Sequence, residues 1–335
     1  MTDPTLTPEA ASAALALILP DPPPVTAVTR LGGGVSNQTF RLDTASGPLI
    51  LRCPPPGARS GNAHDMAREA RVLGAVHPLF PEAPAALGAS DEPSATGDSF
   101  MVMAAIPGIA LTPRTALDPA TAARLCDSFV ACFARLHDIA PDAAVLTVFG
   151  NPEGFTARQV AGWTRRFAAI GLPQDFSALT GWLAANIPAE PARPAILHND
   201  FKFDNLLVDP DDPARINGVI DWELSGLGDP LIDLGNALAY WVQADDPPAL
   251  AAARRGPTHL PGMMTRDALI DAYCAARGIP RPDNLAFHQA LGLFRLAVIA
   301  LQVHVRYAPE GIASPGPFRD GAMALLTRAA DLTQA

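Results

Sequence analysis

The stretch "ILHNDFKFDNLLVD", Ile196 to Asp209, decides how the rest of the chain is read. His198 is followed two positions later by Asp200. Asn205 comes five beyond that, immediately ahead of the apolar run Leu206-Leu207-Val208. A solvated loop has no use for this spacing, whereas a phosphoryl-transfer site does. Such a site needs a carboxylate to take a hydroxyl proton and hard oxygen donors for a metal, on a short loop held by buried structure.

Two other segments carry matching chemistry. In "INGVIDWELSGLGDPLIDLGN", Ile216 to Asn236, the pair Val219-Ile220 reads as a strand end that delivers Asp221. A carboxylate there, with the amide oxygen of Asn205, makes an oxygen-rich corner suited to Mg²⁺. Asp200 is then free to act as the base. Upstream, "LGGGVSNQTF" joins two strands, and its glycines let backbone N–H groups approach phosphate oxygens. Gly33, Gly34, Ser36 and Asn37 are the candidate cradle, although a glycine-rich hairpin is more often only a turn. It is not a Walker A loop, because no G-K-[ST] follows and Lys202 is the sole lysine of the chain.

Around these segments the chain changes character once. From Val28 to Leu51 strands alternate with turns; Phe40 and Leu42 alternate with Thr39 and Arg41, the period of a half-buried strand. A helix is expected from Ala63 to Val76 and a further strand in "SFMVMAAIPG". Beyond Pro107 the pattern is helical. Asp118-Pro119 is a helix start, and Ala122, Leu125, Phe129, Cys132 and Leu136 follow at helical spacing. Further helices are expected over Arg266–Arg277, ended by Gly278, and over Ala286–Tyr307. The expected fold class is α+β and bilobal. Residues 1–104 form a small antiparallel N-lobe with an N-terminal helix, the glycine-rich loop and one helix after the third strand. Residues 105–335 form a larger, mostly helical C-lobe.

Composition sets limits. With 335 residues, 49% hydrophobic and 17% charged, the chain is globular and long enough for two lobes. A formal net charge of −10 makes it a poor general binder of nucleic acid or of anionic membranes. The four cysteines form no C-x-x-C pair, and the N-terminus has no basic n-region, so a cytoplasmic protein with free thiols is expected. The apolar stretch from Leu291 to Val305 carries Arg295, Gln302 and His304, which argues against a membrane span. No oligomeric state is specified.

The combination H-x-D-x-x-x-x-N, a second Asp, and a β-rich lobe upstream resembles the aminoglycoside phosphotransferase and choline kinase superfamily, small-molecule relatives of protein kinases. Within it, "LILRCPPPG", "MAREARVL", "FMVMAAIPG", "FTARQVAGW" and "VIDWELSGLGDPLIDL" are similar to the kinase-like domains fused to acyl-CoA dehydrogenases and to their free-standing bacterial relatives. The resemblance implies a protein-kinase-like fold, ATP bound between the lobes, Mg²⁺ on Asn205 and Asp221, and a small-molecule acceptor hydroxyl, on an acyl chain or its CoA thioester. It implies Asp200 as base and Glu69 as the acid that orients a phosphate-binding Arg52. It also implies Met103 to Ala105 as the hinge that meets adenine, and Asp233 as the carboxylate that ties down the catalytic loop. His198 and His137 read as structural, and Trp163 as core before acyl pocket. Glu223 and Lys202 divide evenly between site and surface.

Two departures stand out. Asn199 occupies a position that is commonly Gly in the family, and Asn tolerates a left-handed backbone. Arg52 stands where protein kinases carry lysine, and its forked guanidinium can reach both phosphate and Glu69. The rivals to a hydroxy-acid kinase are an aminoglycoside- or choline-type phosphotransferase and a nucleotide-binding pseudokinase.

Overall fold

A computed structural model describes residues 6–32, 37–55, 65–92, 97, 99–283, 285–308, 311–314 and 316–334. In chain order the elements are α1 (Pro8–Ala16), β1 (Val25–Leu31), β2 (Gln38–Thr44), β3 (Leu49–Cys53), α2 (Met66–Val76), β4 (Ala86–Ser90), β5 (Phe100–Ala104), β6 (Ile109–Ala110), α3 (Pro119–Asp138), α4 (Ala143–Phe149), α5 (Phe155–Ile170) and α6 (Ser177–Ala185). There follow β7 (Ala195–Leu197), β8 (Leu206–Val208), β9 (Ile216–Val219), β10 (Gly226–Gly228), α7 (Pro230–Tyr240), α8 (Arg266–Ala276), α9 (Leu285–Tyr307) and α10 (Pro317–Asp331).

These fall into two compact units. The first takes Met1–Gly108 and adds two later segments, Asp142–Phe149 and Asn217–Ser225; the second comprises the remainder. A single cut after residue 104 therefore describes the chain order but not the packing. Asp221 lies in the same unit as Arg52, and Asp200 and Asn205 lie in the other.

The first unit is built on an antiparallel sheet in the order β1-β2-β3-β5-β4. Alternate side chains of the central strands, Leu42, Leu51, Phe100 and Val102, are fully buried with Ala11 and Leu15 of α1. Each such side chain contributes roughly 1.5–3 kcal/mol of burial energy. The opposite parity sends Arg52, paired with Thr39 on one side and Met101 on the other, toward α2. The late segment 217–225 is sealed onto this unit. Val219 N–H donates to Glu82 O at 2.8 Å, Trp222 is fully buried, and its ring meets Phe80 edge-on at 6.1 Å.

The second unit is helical around α9. Its core joins α5, α6, α7, α9 and α10. α7 and α9 cross at two glycines: a Cβ on Gly292 would lie 2.2 Å from the Gly235 carbonyl oxygen, so nothing larger fits. α9 is long and apolar enough to cross a membrane by length and composition, yet 67% of that stretch is buried within the protein. The helix start at Asp118 is as expected: its carboxylate accepts from Ala120 and Thr121 N–H at 3.0 Å. Gly278 closes α8 with a φ of 63°. β7 and β10 pair antiparallel, Leu197 opposite Gly226, and bring the catalytic-loop stretch against the segment leading into α7.

Candidate active site

In the second unit the loop after β7 is held from below by one carboxylate. Asp233, in the first turn of α7 and without solvent exposure, accepts from His198 N–H at 2.6 Å and from Asn199 N–H at 2.9 Å. His137 Nε2 lies 3.3 Å from the same carboxylate, and its Nδ1 lies 2.6 Å from the Tyr273 hydroxyl. Burial lowers the His137 pKa, with Asp233 opposing, so the ring is a neutral strut. Asp233 and His137 thus position the loop rather than react.

That anchoring forces the backbone to turn sharply. Asn199 adopts φ 63°, in the left-handed region. Its side-chain oxygen accepts from Asn236 Nδ2 at 3.2 Å, a bond that glycine could not make. Asp200 N–H then donates to His198 Nδ1 at 3.2 Å, which places the His198 proton on Nε2 and gives His198 a positioning role.

The Asp200 carboxylate sits on the far side of this turn. Asn205 Nδ2 donates to Asp200 Oδ2 and to its carbonyl oxygen, both at 2.9 Å. Lys202 Nζ pairs with Oδ2 as well, and lies 3.7 Å from Asp204 and 5.2 Å from the centre of the Tyr240 ring. Lys202 is therefore not a solvated surface lysine; only 11% of its side chain is exposed. Burial alone pushes Asp200 up, but Lys202 and then Arg295 pull it down to about 2. Asp200 is thus buried and ionised, with Oδ2 oriented by Asn205. Asp204, less compensated, is pushed up by burial to about 6.

In the first unit the organising group is Arg52. Its Nη1 pairs with Glu69, which is 1% exposed; its Nη2 donates to Asp221 Oδ1 at 2.9 Å and to Glu223 Oε2 at 3.4 Å. Burial lowers the Arg52 pKa and the three carboxylates more than restore it, so it stays charged. Burial raises Glu69, with Arg52 opposing. The forked guanidinium makes all these contacts at once, which a lysine ammonium on the same strand could not reproduce. Glu223 is buried, not a surface residue: it accepts from Asn37 Nδ2 at 2.7 Å, tying the end of the glycine-rich hairpin to Arg52. Arg68, which sequence reasoning passed over, donates to the carbonyls of Glu223 at 3.0 Å and Ser225 at 2.8 Å and so fixes this segment. Its position one residue before Glu69 was the available signal.

Asp221 itself has φ 71°, in the left-handed region that non-glycine residues adopt uncommonly. At the expected hinge, Met103 is committed to the ladder with Ile50 and Ala86, and Ala105 N–H donates to Pro48 O at 3.3 Å. An adenine contact through the Ala105 N–H has to replace that bond. Gly33, Gly34 and Ser36 lie outside the described residues. Trp163 is 8% exposed in the α5–α9 core, its Nε1 donating to Gln159 at 3.2 Å.

Each unit offers one hard oxygen donor of the kind Mg²⁺ takes. Both recorded contacts of the Asn205 amide use its nitrogen, which turns the amide oxygen outward as a hard ligand. Arg52 takes one oxygen of Asp221 and leaves the other. Among the described residues no His/Cys/Asp/Glu cluster of three forms a protein-only cage.

An ionised carboxylate on an anchored loop, an Arg–Glu pair beside a further carboxylate, and an antiparallel sheet followed in the chain by a helical unit are the parts of a protein-kinase-like phosphotransferase. The chain belongs to the phosphotransferase enzyme family, whose model matches residues 27–278. It is 34% identical over 314 residues to mouse (Mus musculus) acyl-CoA dehydrogenase family member 11, an alignment covering 88% of this chain but 38% of that protein. The chain thus spans well under half the length of that curated relative. Among solved structures, a candidate aminoglycoside phosphotransferase from Ralstonia eutropha JMP134 superposes with a TM-score of 0.77 at 24% identity, covering 97% of this chain and 98% of the other. A thermostable mutant of aminoglycoside phosphotransferase APH(4)-Ia, solved in ternary complex with ADP and hygromycin B, gives 0.63 at 14% identity, with 98% of each chain covered.

Proposed function

We propose that the protein transfers the γ-phosphoryl group of ATP to the hydroxyl group of a hydroxylated acyl compound, a free hydroxy acid or its CoA thioester. The observation that carries the reading is the Asp200 carboxylate: ionised, oriented by Asn205, and set on a loop that Asp233 holds by two backbone bonds. Asp200 accepts the acceptor hydroxyl proton as the new O–P bond forms. The bond between the γ-phosphorus and the bridging oxygen breaks, and ADP leaves. Arg52, oriented by Glu69, would bind phosphate oxygens. Asn205 and Asp221 are the residues that would hold Mg²⁺, which when bound would neutralise charge on those oxygens. The acyl acceptor is supported by the likeness to acyl-CoA dehydrogenase family member 11.

The test is ADP release with a panel of hydroxy acids, hydroxyacyl-CoAs, aminoglycosides and choline. Turnover confined to the first two classes supports the reading. Turnover of aminoglycosides or choline alone contradicts it.

A further inference from the structure

Arg295 is the one charged side chain in the heart of α9 whose presence the core does not account for. It is 4% exposed and lies between the buried Phe294 and Leu296. Its Nη1 has no hydrogen-bond partner among the described residues. Its recorded neighbour is the Trp163 ring, with the guanidinium carbon 5.4 Å from the ring centre. Arg166 lies over the same indole at 4.5 Å, so two cations share one ring. A buried guanidinium N–H without a hydrogen-bonded acceptor costs stability. Arg295 nonetheless acts electrostatically on both Asp200 and Tyr240, which puts it in the neighbourhood of the base. Such a group at a reaction centre is explained by a ligand that completes it.

We propose that Arg295 binds the acyl oxygen of the phosphate acceptor, the carboxylate of a free hydroxy acid or the carbonyl of its thioester, and so sets acceptor specificity. This rests on the function proposed above, and it assigns the residue that distinguishes an acyl acceptor from a plain alcohol. A guanidinium N–H directed at one acyl oxygen fixes the acceptor at a second point, so that its hydroxyl meets Asp200 in one orientation. The Trp163 ring, which already holds the guanidinium, supplies the rigid backing.

The test is calorimetric binding, in the presence of ADP, of medium-chain hydroxy acids, their CoA thioesters and secondary alcohols of the same length. The parent protein should bind acids or thioesters and not alcohols; which of the two binds tells carboxylate from carbonyl. Arg295→Gln should weaken that binding roughly ten- to a hundredfold, the value of a charge-assisted hydrogen bond, with ADP affinity held within about twofold. Arg295→Met, which keeps much of the side chain's packing but cannot donate a hydrogen bond, should lose acceptor binding while still unfolding in one cooperative transition. Unchanged acceptor binding in either variant overturns the proposal. So does a parallel loss of ADP affinity, which would assign Arg295 to the nucleotide, or equal binding of alcohols by the parent. Arg295-dependent binding of acids that are never phosphorylated would refute the proposed function and leave this assignment standing. Phosphorylation of acids that is indifferent to Arg295 would do the reverse.

Discussion

Arg52→Ala removes the cation that Glu69, Asp221 and Glu223 share, and the cost can be worked from their burial. Glu69 is 1% exposed, so truncating its partner strands a carboxylate in a site closed to water. Breaking a buried pair in this way costs about 3–5 kcal/mol. The Asp221 contact adds little, because a third of that side chain faces solvent. Arg52→Lys should recover part of the loss, since one ammonium cannot serve both the Glu69 and Asp221 sides. In Arg52→Ala/Glu69→Ala the stranded charge is gone, so the double variant should be more stable than the sum of the singles by ~1.5–3 kcal/mol. The sign with pH follows. The Glu69 pKa is already raised by burial, and loss of Arg52 raises it further. Protonation then relieves the strain, and the Arg52→Ala deficit should shrink as pH falls from about 7.5 to about 5. Urea unfolding read by Trp222 fluorescence, within the same unit, measures all of this. Additivity within about 0.5 kcal/mol would refute the coupling.

Three further outcomes are expected. Asp221→Asn, which relieves a site with one guanidinium among three carboxylates, should abolish turnover without lowering the melting temperature; a drop of several degrees would contradict the strain argument. Asn199→Ala should unfold more easily than Asn199→Gly by about 1–2 kcal/mol, since only glycine accepts φ 63° without penalty; equal chemical-denaturation midpoints would contradict this. Because Asp204 titrates near 6 beside Asp200 and Lys202, the KM for an anionic acceptor should rise as pH climbs through that value, and Asp204→Asn should flatten the profile. A parent KM that stays constant across that range would show that Asp204 does not face the acceptor.

Much of this was legible in the sequence because the informative residues were close together. Asp200 and Asn205 announced themselves by spacing, Asp233 only through the family resemblance, and the Asp118-Pro119 helix start by capping chemistry. β4 was not legible: "ALGAS" contains neither a β-branched nor an aromatic residue and is a strand because β5 offers it a ladder. α5 and α6 lack side-chain caps, and their helical state comes from packing against α9. The return of Asn217–Ser225 to the first unit is a tertiary fact with no local signal, as are the burial of Glu223 and the pairing of Lys202 with Asp200. Arg52 reads in sequence as a departure from the protein-kinase lysine. In the folded protein it is the residue that joins Glu69, Asp221 and, through Glu223, Asn37.

The central claim is that Asp200 takes a proton from an acceptor hydroxyl during phosphoryl transfer from ATP. Single-turnover transfer to an accepted hydroxy substrate, followed by mass spectrometry of the phosphorylated product for the parent and for Asp200→Asn, tests it most directly. Asparagine preserves shape and the Asn205 contact region but cannot accept the proton. The phosphorylation rate should fall about 10²- to 10⁴-fold with ADP affinity retained. Phosphorylated product appearing at the parent rate in Asp200→Asn would contradict the account.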